Sequence, residues 1–196
     1  MSFYSIAPFI KEHYPDYFSL ETYPADKCAP VHKVNGEWGI FSNFARTPLI
    51  VDGLMFKSAE QLFQLMKFRT VEPLSAVYAA NNPKMTAKKW EKTCRRPDWG
   101  CMVVDAIKYC LQTKYEQNDM FRSALEESRG LFIVEDQTSF PKRYADTWGV
   151  KRKGPAYEGP NLLGRLLMEL RDSGRLEYAL PQDAFDFIGI LKEIVA

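Results

Sequence analysis

The chain has 196 residues, of which 46% are hydrophobic, 26% charged and 14% aromatic, and its formal net charge is +1. That balance belongs to a folded globular protein, excludes an intrinsically disordered chain, and removes any global electrostatic case for nucleic acid or an acidic membrane. No run approaches the ~20 consecutive apolar residues of a transmembrane helix, and the first residues lack the pattern of a secretory signal, so a cytoplasmic protein that binds no membrane is expected.

Up to Pro30 the chain is dense in aromatics and prolines (Tyr14-Pro15, Tyr23-Pro24, Ala29-Pro30). This stretch reads as a short helix near Ile6–His13 followed by an irregular arm docked on the domain. Glu37-Trp38-Gly39-Ile40-Phe41-Ser42-Asn43-Phe44 sets Ser-Asn between two phenylalanines. Such a segment suits an amide aimed at a ligand, and equally a turn within a core.

Leu49-Ile50-Val51, Asp52-Gly53 and Leu54-Met55-Phe56 predict a β-hairpin, because Asp-Gly supplies the positive φ angles that a two-residue type I′ turn requires. Ser58 and Gln61 predict a capping box that opens a helix running to about Phe68. On that helix Ala59, Leu62, Phe63 and Met66 share one face, while Glu60, Gln64 and Lys67 line the opposite arc. A carboxylate, an amide and an ammonium in a row fit a reactive site, and they also fit the watered side of an amphipathic helix.

Further helices are predicted over Thr86–Cys94, Met102–Tyr115, Asp119–Leu125, Asn161–Asp172 and Asp183–Val195, with one short buried strand over Leu131–Val134. There is no internal repeat and no βαβ alternation. The expected fold class is therefore mainly α, multihelical, with a small β-hairpin and one or two further short strands.

Cys28, Cys94, Cys101 and Cys110 show no C-x2-C spacing, so buried reduced thiols are expected, and no metal site. His13 and His32 lie away from any Ser or Cys motif, which leaves carboxylates, a lysine or water as acids and bases. Ala145-Asp146-Thr147-Trp148-Gly149 puts an acid beside an indole and a glycine, in a loop that can stack a planar ring or simply enter a helix. Asn161 reads as the cap of the next helix, on which Gly164 allows another backbone to approach closely. Two basic clusters, Lys88-Lys89-Lys92-Arg95-Arg96 and Lys151-Arg152-Lys153, read as solvated faces, and the second also stands where it could meet a phosphate.

Taken in order, these pieces resemble the NADAR (YbiA-like) N-glycosidase family. The matching run is Gly39-x-Phe41-Ser42-Asn43-Phe44, Asp52-Gly53 and Ser58-x-Glu60-Gln61-x-Phe63-Gln64-x-x-Lys67-Phe68. It continues through Lys114-Tyr115-x-Gln117-Asn118, Val134-Glu135, Asp146-x-Trp148-Gly149 and Asn161-x-Leu163-Gly164-x-x-Leu167-Met168-x-Leu170-Arg171. The resemblance implies a mainly helical, YbiA-like catalytic domain over 36–174, with an N-terminal arm (1–35) and a C-terminal helical extension (175–196) outside it.

The same resemblance implies hydrolysis of the N-glycosidic bond of a ribosylated or ADP-ribosylated nucleobase, without metal or organic cofactor. ADP-ribosyl-guanine in nucleic acid and phosphoribosylaminopyrimidine intermediates of riboflavin synthesis are the implied substrates. The expected partner is thus a phosphate-bearing nucleoside or ADP-ribosyl compound, modified DNA included. Glu60, Lys67 and Asp146 fall at catalytic positions, and Asn43, Phe44, Gln64, Trp99, Trp148, Gly149 and Asn161 at substrate-binding ones. Glu60 is the leading carboxylate, with Asp146 as a second acid or a ribose-hydroxyl anchor. Lys67 is either an ammonium facing a phosphate or leaving group, or an amine that attacks the sugar through a Schiff base. This chain departs from the family pattern with Gln61 in place of the usual His, and with Asp146 two residues before Trp148 instead of three. A non-catalytic NAD or ADP-ribose binding module is the alternative, and a nucleic-acid binder built on Lys88–Arg96 is a third class.

Overall fold

The computed structural model describes residues 7–195. Through its first half the elements are α1 (Ala7–His13), β1 (Glu21–Pro24), β2 (Cys28–Val31), β3 (Leu49–Val51), β4 (Leu54–Phe56), α2 (Ala59–Leu65), α3 (Val71–Ala79) and α4 (Pro83–Cys94). The second half holds α5 (Trp99–Gln117), α6 (Asp119–Glu127), β5 (Phe132–Glu135), β6 (Lys151–Lys153), β7 (Ala156–Gly159), α7 (Leu162–Ser173) and α8 (Asp186–Val195). The fold is mainly α, as expected, with more strands than the sequence suggested. They gather into two compact units, one built from the chain up to Ser42 with Asp119–Leu176, the other from Asn43–Asn118 with the chain from Glu177 onward.

In the first unit β7 pairs antiparallel with both β1 and β6, and β2 pairs parallel with β5. The segment expected to be irregular therefore supplies two strands. Pro24 and Pro30 hid them, because a proline removes a ladder donor and is tolerated where β1 and β2 lie, at sheet edges. Ile6, the first residue of the expected opening helix, lies outside the described residues. Tyr23, Val134, Val150 and Tyr157 form a buried cluster, with Cys28 and Met168 packed on it. Helix α7 lies against β5 and α6. Gly164 makes the first of these contacts possible, since a Cβ there would sit 2.1 Å from the Ile133 carbonyl oxygen.

In the second unit the hairpin forms where expected, with Asp52 at φ 48° and Gly53 at φ 80°. Helix α2 stops at Leu65, a turn earlier than the periodicity predicts, and packs between α4 and α5. Helix α5 buries Val103, Val104, Ile107 and Leu111, and α3, which the sequence reading did not anticipate, packs on α4 and α8. Gln117 at the end of α5 grips the hairpin edge like a strand: its Oε1 accepts from Ile50 N at 2.7 Å and its Nε2 donates to Ile50 O at 2.8 Å.

All four cysteines are free, but only Cys110 is buried, while Cys28 and Cys94 are half-buried and Cys101 is exposed. Among the described residues no helix is long and apolar enough to cross a membrane.

Candidate active site

Helix α2 carries the densest set of buried polar groups in the second unit. Ser58 Oγ accepts from Gln61 N at 3.2 Å, as the expected cap requires. The Gln61 side chain closes the box one residue further back than usual, its Oε1 accepting from Lys57 N at 2.7 Å, and its Nε2 donates to the Tyr78 carbonyl at 2.7 Å. The amide of Glu60, one of the donors a helix start leaves unpaired, donates to the Asn43 carbonyl at 2.8 Å.

The polar arc is not turned to water. Glu60 is 5% exposed, Gln64 2% and Lys67 8%, which overturns the reading of that arc as a solvated face. Burying such groups is costly unless they find partners. Gln64 Nε2 donates to Glu60 Oε1 at 2.7 Å. Lys67 Nζ donates to Glu91 Oε1 at 2.6 Å and stands over the rings of Phe63 (5.7 Å) and Trp99 (5.5 Å), which meet edge to face. Lys84 Nζ lies 5.6 Å from the centre of the Phe44 ring. Two acceptors, Asn43 Oδ1 and Gln64 Oε1, are buried with no hydrogen-bond partner among the described residues.

Burial pushes the Glu60 carboxyl above the usual carboxylate range, against the opposing pull of Lys84, the Gln64 hydrogen bond and Lys67. Burial likewise pushes the Lys67 ammonium down, and Glu91 first and then Glu60 oppose it. Burial thus raises an acid and lowers an amine within one cluster, which brings the two titrations closer together.

Lys84 and Glu91 were missed in the sequence because both sit on α4, whose lysines read as a solvated face. Lys88, Lys89 and Lys92 are exposed, as expected. Arg96 is not: it is 3% exposed, its Nε and Nη2 donate to both Asp98 oxygens at 2.7 Å, and Nη2 also reaches Asp183 Oδ1 at 2.7 Å. Its backbone amide donates to the Lys67 carbonyl at 2.8 Å, so this network anchors the chain that carries the lysine.

The structure thus brings Asn43, Phe44, Glu60, Gln64, Lys67 and Trp99 into one unit, whereas Asp146, Trp148, Gly149 and Asn161 belong to the other. There Asp146 Oδ1 accepts from Gln137 Nε2 at 2.6 Å and from Trp148 N at 2.9 Å, and Asp146 N donates back to Gln137 Oε1 at 2.9 Å. The Trp148 carbonyl accepts from Leu163 N, and the Gly149 carbonyl from Asn161 N, both at 3.1 Å, so this loop caps α7 with its backbone. Asn161 is wholly buried in the left-handed region (φ 54°). Its Oδ1 accepts from Glu135 N at 3.0 Å and its Nδ2 donates to Ile133 O at 2.9 Å, a bracket on β5. The second basic cluster is tied down locally: Lys151 Nζ donates to the Thr138 and Phe140 carbonyls, Arg152 stacks on Tyr157, and Lys153 pairs with Glu158. Among the described residues no group of three or more His, Cys, Asp or Glu is placed to hold a metal ion.

The fold is mainly helical, with a buried carboxylate and amide on one short helix and a buried lysine two residues past its end. Residues 31–175 match the NADAR domain, and the chain belongs to that family. It is 28% identical over 154 residues to the N-glycosidase YbiA of Escherichia coli (strain K12) and to that of Shigella boydii serotype 4 (strain Sb227), covering 78% of this chain and 91% of each relative. The NMR structure of E. coli YbiA resembles it with a TM-score of 0.58 at 25% identity, covering 76% of this chain and 89% of that one.

Proposed function

We propose that the protein is an N-glycosidase that hydrolyses the bond between a ribose carbon and a nucleobase nitrogen, on a ribosylated or ADP-ribosylated base. The observation that carries this reading is the burial of Glu60 beside Gln64, Lys67 and Lys84 in a NADAR-family chain whose relatives are named N-glycosidases. Cleavage places positive charge on the sugar C1 and negative charge on the departing base. In this reading ionised Glu60 faces C1 and takes a proton from the attacking water, and the unpaired oxygens Asn43 Oδ1 and Gln64 Oε1 receive sugar hydroxyls. The proton that Glu60 takes from water passes to the base nitrogen as it leaves, which restores the carboxylate, and the indole of Trp99 helps to wall the site.

The ion pair with Glu91 favours Lys67 as an ammonium that offsets charge on the leaving group. The lowering of its pKa by burial supports the other role, attack of the neutral amine on C1 through a Schiff base. Borohydride trapping during turnover separates them: a covalent sugar–protein adduct that Lys67→Arg abolishes establishes the Schiff base, and no adduct under full turnover removes it.

The experiment that tests the function is mass spectrometry after incubation with three substrates in parallel: single-stranded DNA bearing ADP-ribose on guanine, a phosphoribosylaminopyrimidine, and NAD. Release of free base or of ADP-ribose from any of them, lost by at least ~100-fold in a folded Glu60→Gln variant, supports the proposal. Undiminished turnover in Glu60→Gln removes Glu60 from the mechanism. Saturable binding with no product from any substrate removes the enzyme reading and leaves an NAD or ADP-ribose binding module.

A further inference from the structure

Next to the buried cluster, the second unit opens a groove of about 360 Å³, lined among others by Phe44, Arg46, Met55, Lys57 and Asn81. Its volume falls within the range of about 300–1,000 Å³ typical of small-ligand pockets. The charged groups lining it are Arg46 and Lys57, with no carboxylate. Lys57 Nζ makes one long hydrogen bond, to the Ala80 carbonyl at 3.4 Å, and neither cation has a carboxylate partner among the described residues. Phe44, 39% exposed, and Met55, 61% exposed, supply an apolar wall, and Lys84 stands over the Phe44 ring.

Two of the groove's neutral polar side chains, Ser58 and Gln61, are already engaged. Ser58 Oγ caps α2, and both ends of the Gln61 amide are held by Lys57 N and the Tyr78 carbonyl. Selection of a ligand thus falls to the cations and the exposed ring, with the Asn81 amide beside them. A guanidinium and an ammonium without internal counter-charges favour a phosphate, and an exposed phenyl ring favours a planar heterocycle. Phe44 and Lys84 join the groove to the site, because the Lys84 charge also acts on Glu60.

We propose that this groove is an anion subsite for a nucleotide-sized ligand, with Arg46 and Lys57 on its phosphate and Phe44 against its ring. The assignment of the groove to the substrate of the Glu60 site rests on the glycosidase reading; the binding of a phosphate-bearing nucleotide does not.

Isothermal titration calorimetry on the full chain tests it with AMP, adenosine and an unmodified oligothymidylate as probes. AMP is expected to bind at least ~10-fold more tightly than adenosine, with an affinity that falls as salt rises. Arg46→Ala/Lys57→Ala is expected to erase that preference, and Lys57→Gln to reduce it, with melting temperatures unchanged because both side chains lie on the surface. Equal affinity for AMP and adenosine, no AMP binding, or an AMP affinity untouched by the double variant overturns the proposal. So does oligothymidylate binding that needs Arg46 and Lys57 while AMP does not bind. Groove-dependent AMP binding in a protein that cleaves no N-glycoside leaves the subsite standing and removes the glycosidase reading. Conversely, cleavage of a phosphate-bearing substrate with KM unchanged in the double variant removes the subsite alone.

Discussion

Glu60 and Lys67 share one arc of the chain around α2, yet they do not form an ion pair with each other: Glu60 takes a hydrogen bond from Gln64, and Lys67 is bound to Glu91 on α4. The lysine is compensated by a different carboxylate. Burial therefore disfavours the ionised form of Glu60, and the charges of Lys84 and Lys67 offset that penalty only in part.

That arrangement has a cost in stability with a definite sign. The Glu60 pKa is higher in the folded protein than in the unfolded chain. Its protonated form therefore stabilises the fold below the ordinary carboxylate pKa of about 4.3, and this contribution is lost as pH rises through the elevated folded value. Glu60→Gln, which preserves the acceptor for Gln64, is expected to melt higher than the wild type at pH 7 to 8. The difference should vanish near pH 4, and differential scanning calorimetry across that window checks it. A lower melting temperature at neutral pH would contradict it.

The rate of glycoside cleavage should carry the same two groups. Its acid limb is expected above the ordinary carboxylate range and its alkaline limb below the ordinary lysine pKa of about 10.4, since burial raises Glu60 and lowers Lys67. Glu91→Gln removes the largest influence opposing the fall at Lys67. It should move the alkaline limb to lower pH and leave the acid limb nearly in place, as read from kcat/KM against pH.

Lys114 is wholly buried in α5, and desolvation pushes its ammonium down to about 7. A depressed folded pKa gives stability that is present above the unfolded value near 10.4 and is lost as pH falls through the folded one. Wild type should gain on Lys114→Met as pH rises from about 7 towards 10, by at most about 1.4 kcal/mol per pH unit. Urea unfolding of both proteins at pH 6, 8 and 9.5 measures the gap, and a flat difference would place the amine in a far more polar setting than its burial indicates.

Gly164 offers a test that is independent of charge. A methyl group at that position meets the Ile133 carbonyl and the Asn161 amide, both on the contact between α7 and β5. Gly164→Ala is expected to destabilise by about 2–3 kcal/mol, because backbone must move to admit it. Faster amide exchange at Glu135, whose N–H the Asn161 side chain holds, should accompany the loss.

What could be read in the sequence was local. Asp52-Gly53 fixes its turn by backbone conformation, Ser58 caps by direct contact, and Gly164 announces a close approach by lacking a side chain. The hydrophobic spacing of α5 and α7 likewise needs no distant partner to be seen. By contrast, the burial of the Glu60 arc depends on α4 and α5 covering it, and periodicity alone cannot tell a covered polar face from a wet one. Glu91, half-buried against Lys67, looks like a surface residue for the same reason, while Lys84 is a surface residue whose influence on Glu60 no periodicity shows. Strands β1 and β2 were hidden by their prolines and by partners distant in the chain, and β6 by its three cations, although its partner β7 follows at once.

The pairing of β1 and β2 has a consequence for how the protein is made. Glu21 meets Gly159, and Cys28 meets Phe132, so neither strand can find its partner until most of the chain has left the ribosome. Meanwhile the whole Asn43–Asn118 segment of the second unit emerges behind them. Two early strands must therefore wait, unpaired, β2 through the synthesis of about half the protein and β1 through about two thirds of it. Pro24 and Pro30, which hid those strands from a reader of the sequence, also deny a neighbouring nascent chain a complete edge on which to build a sheet.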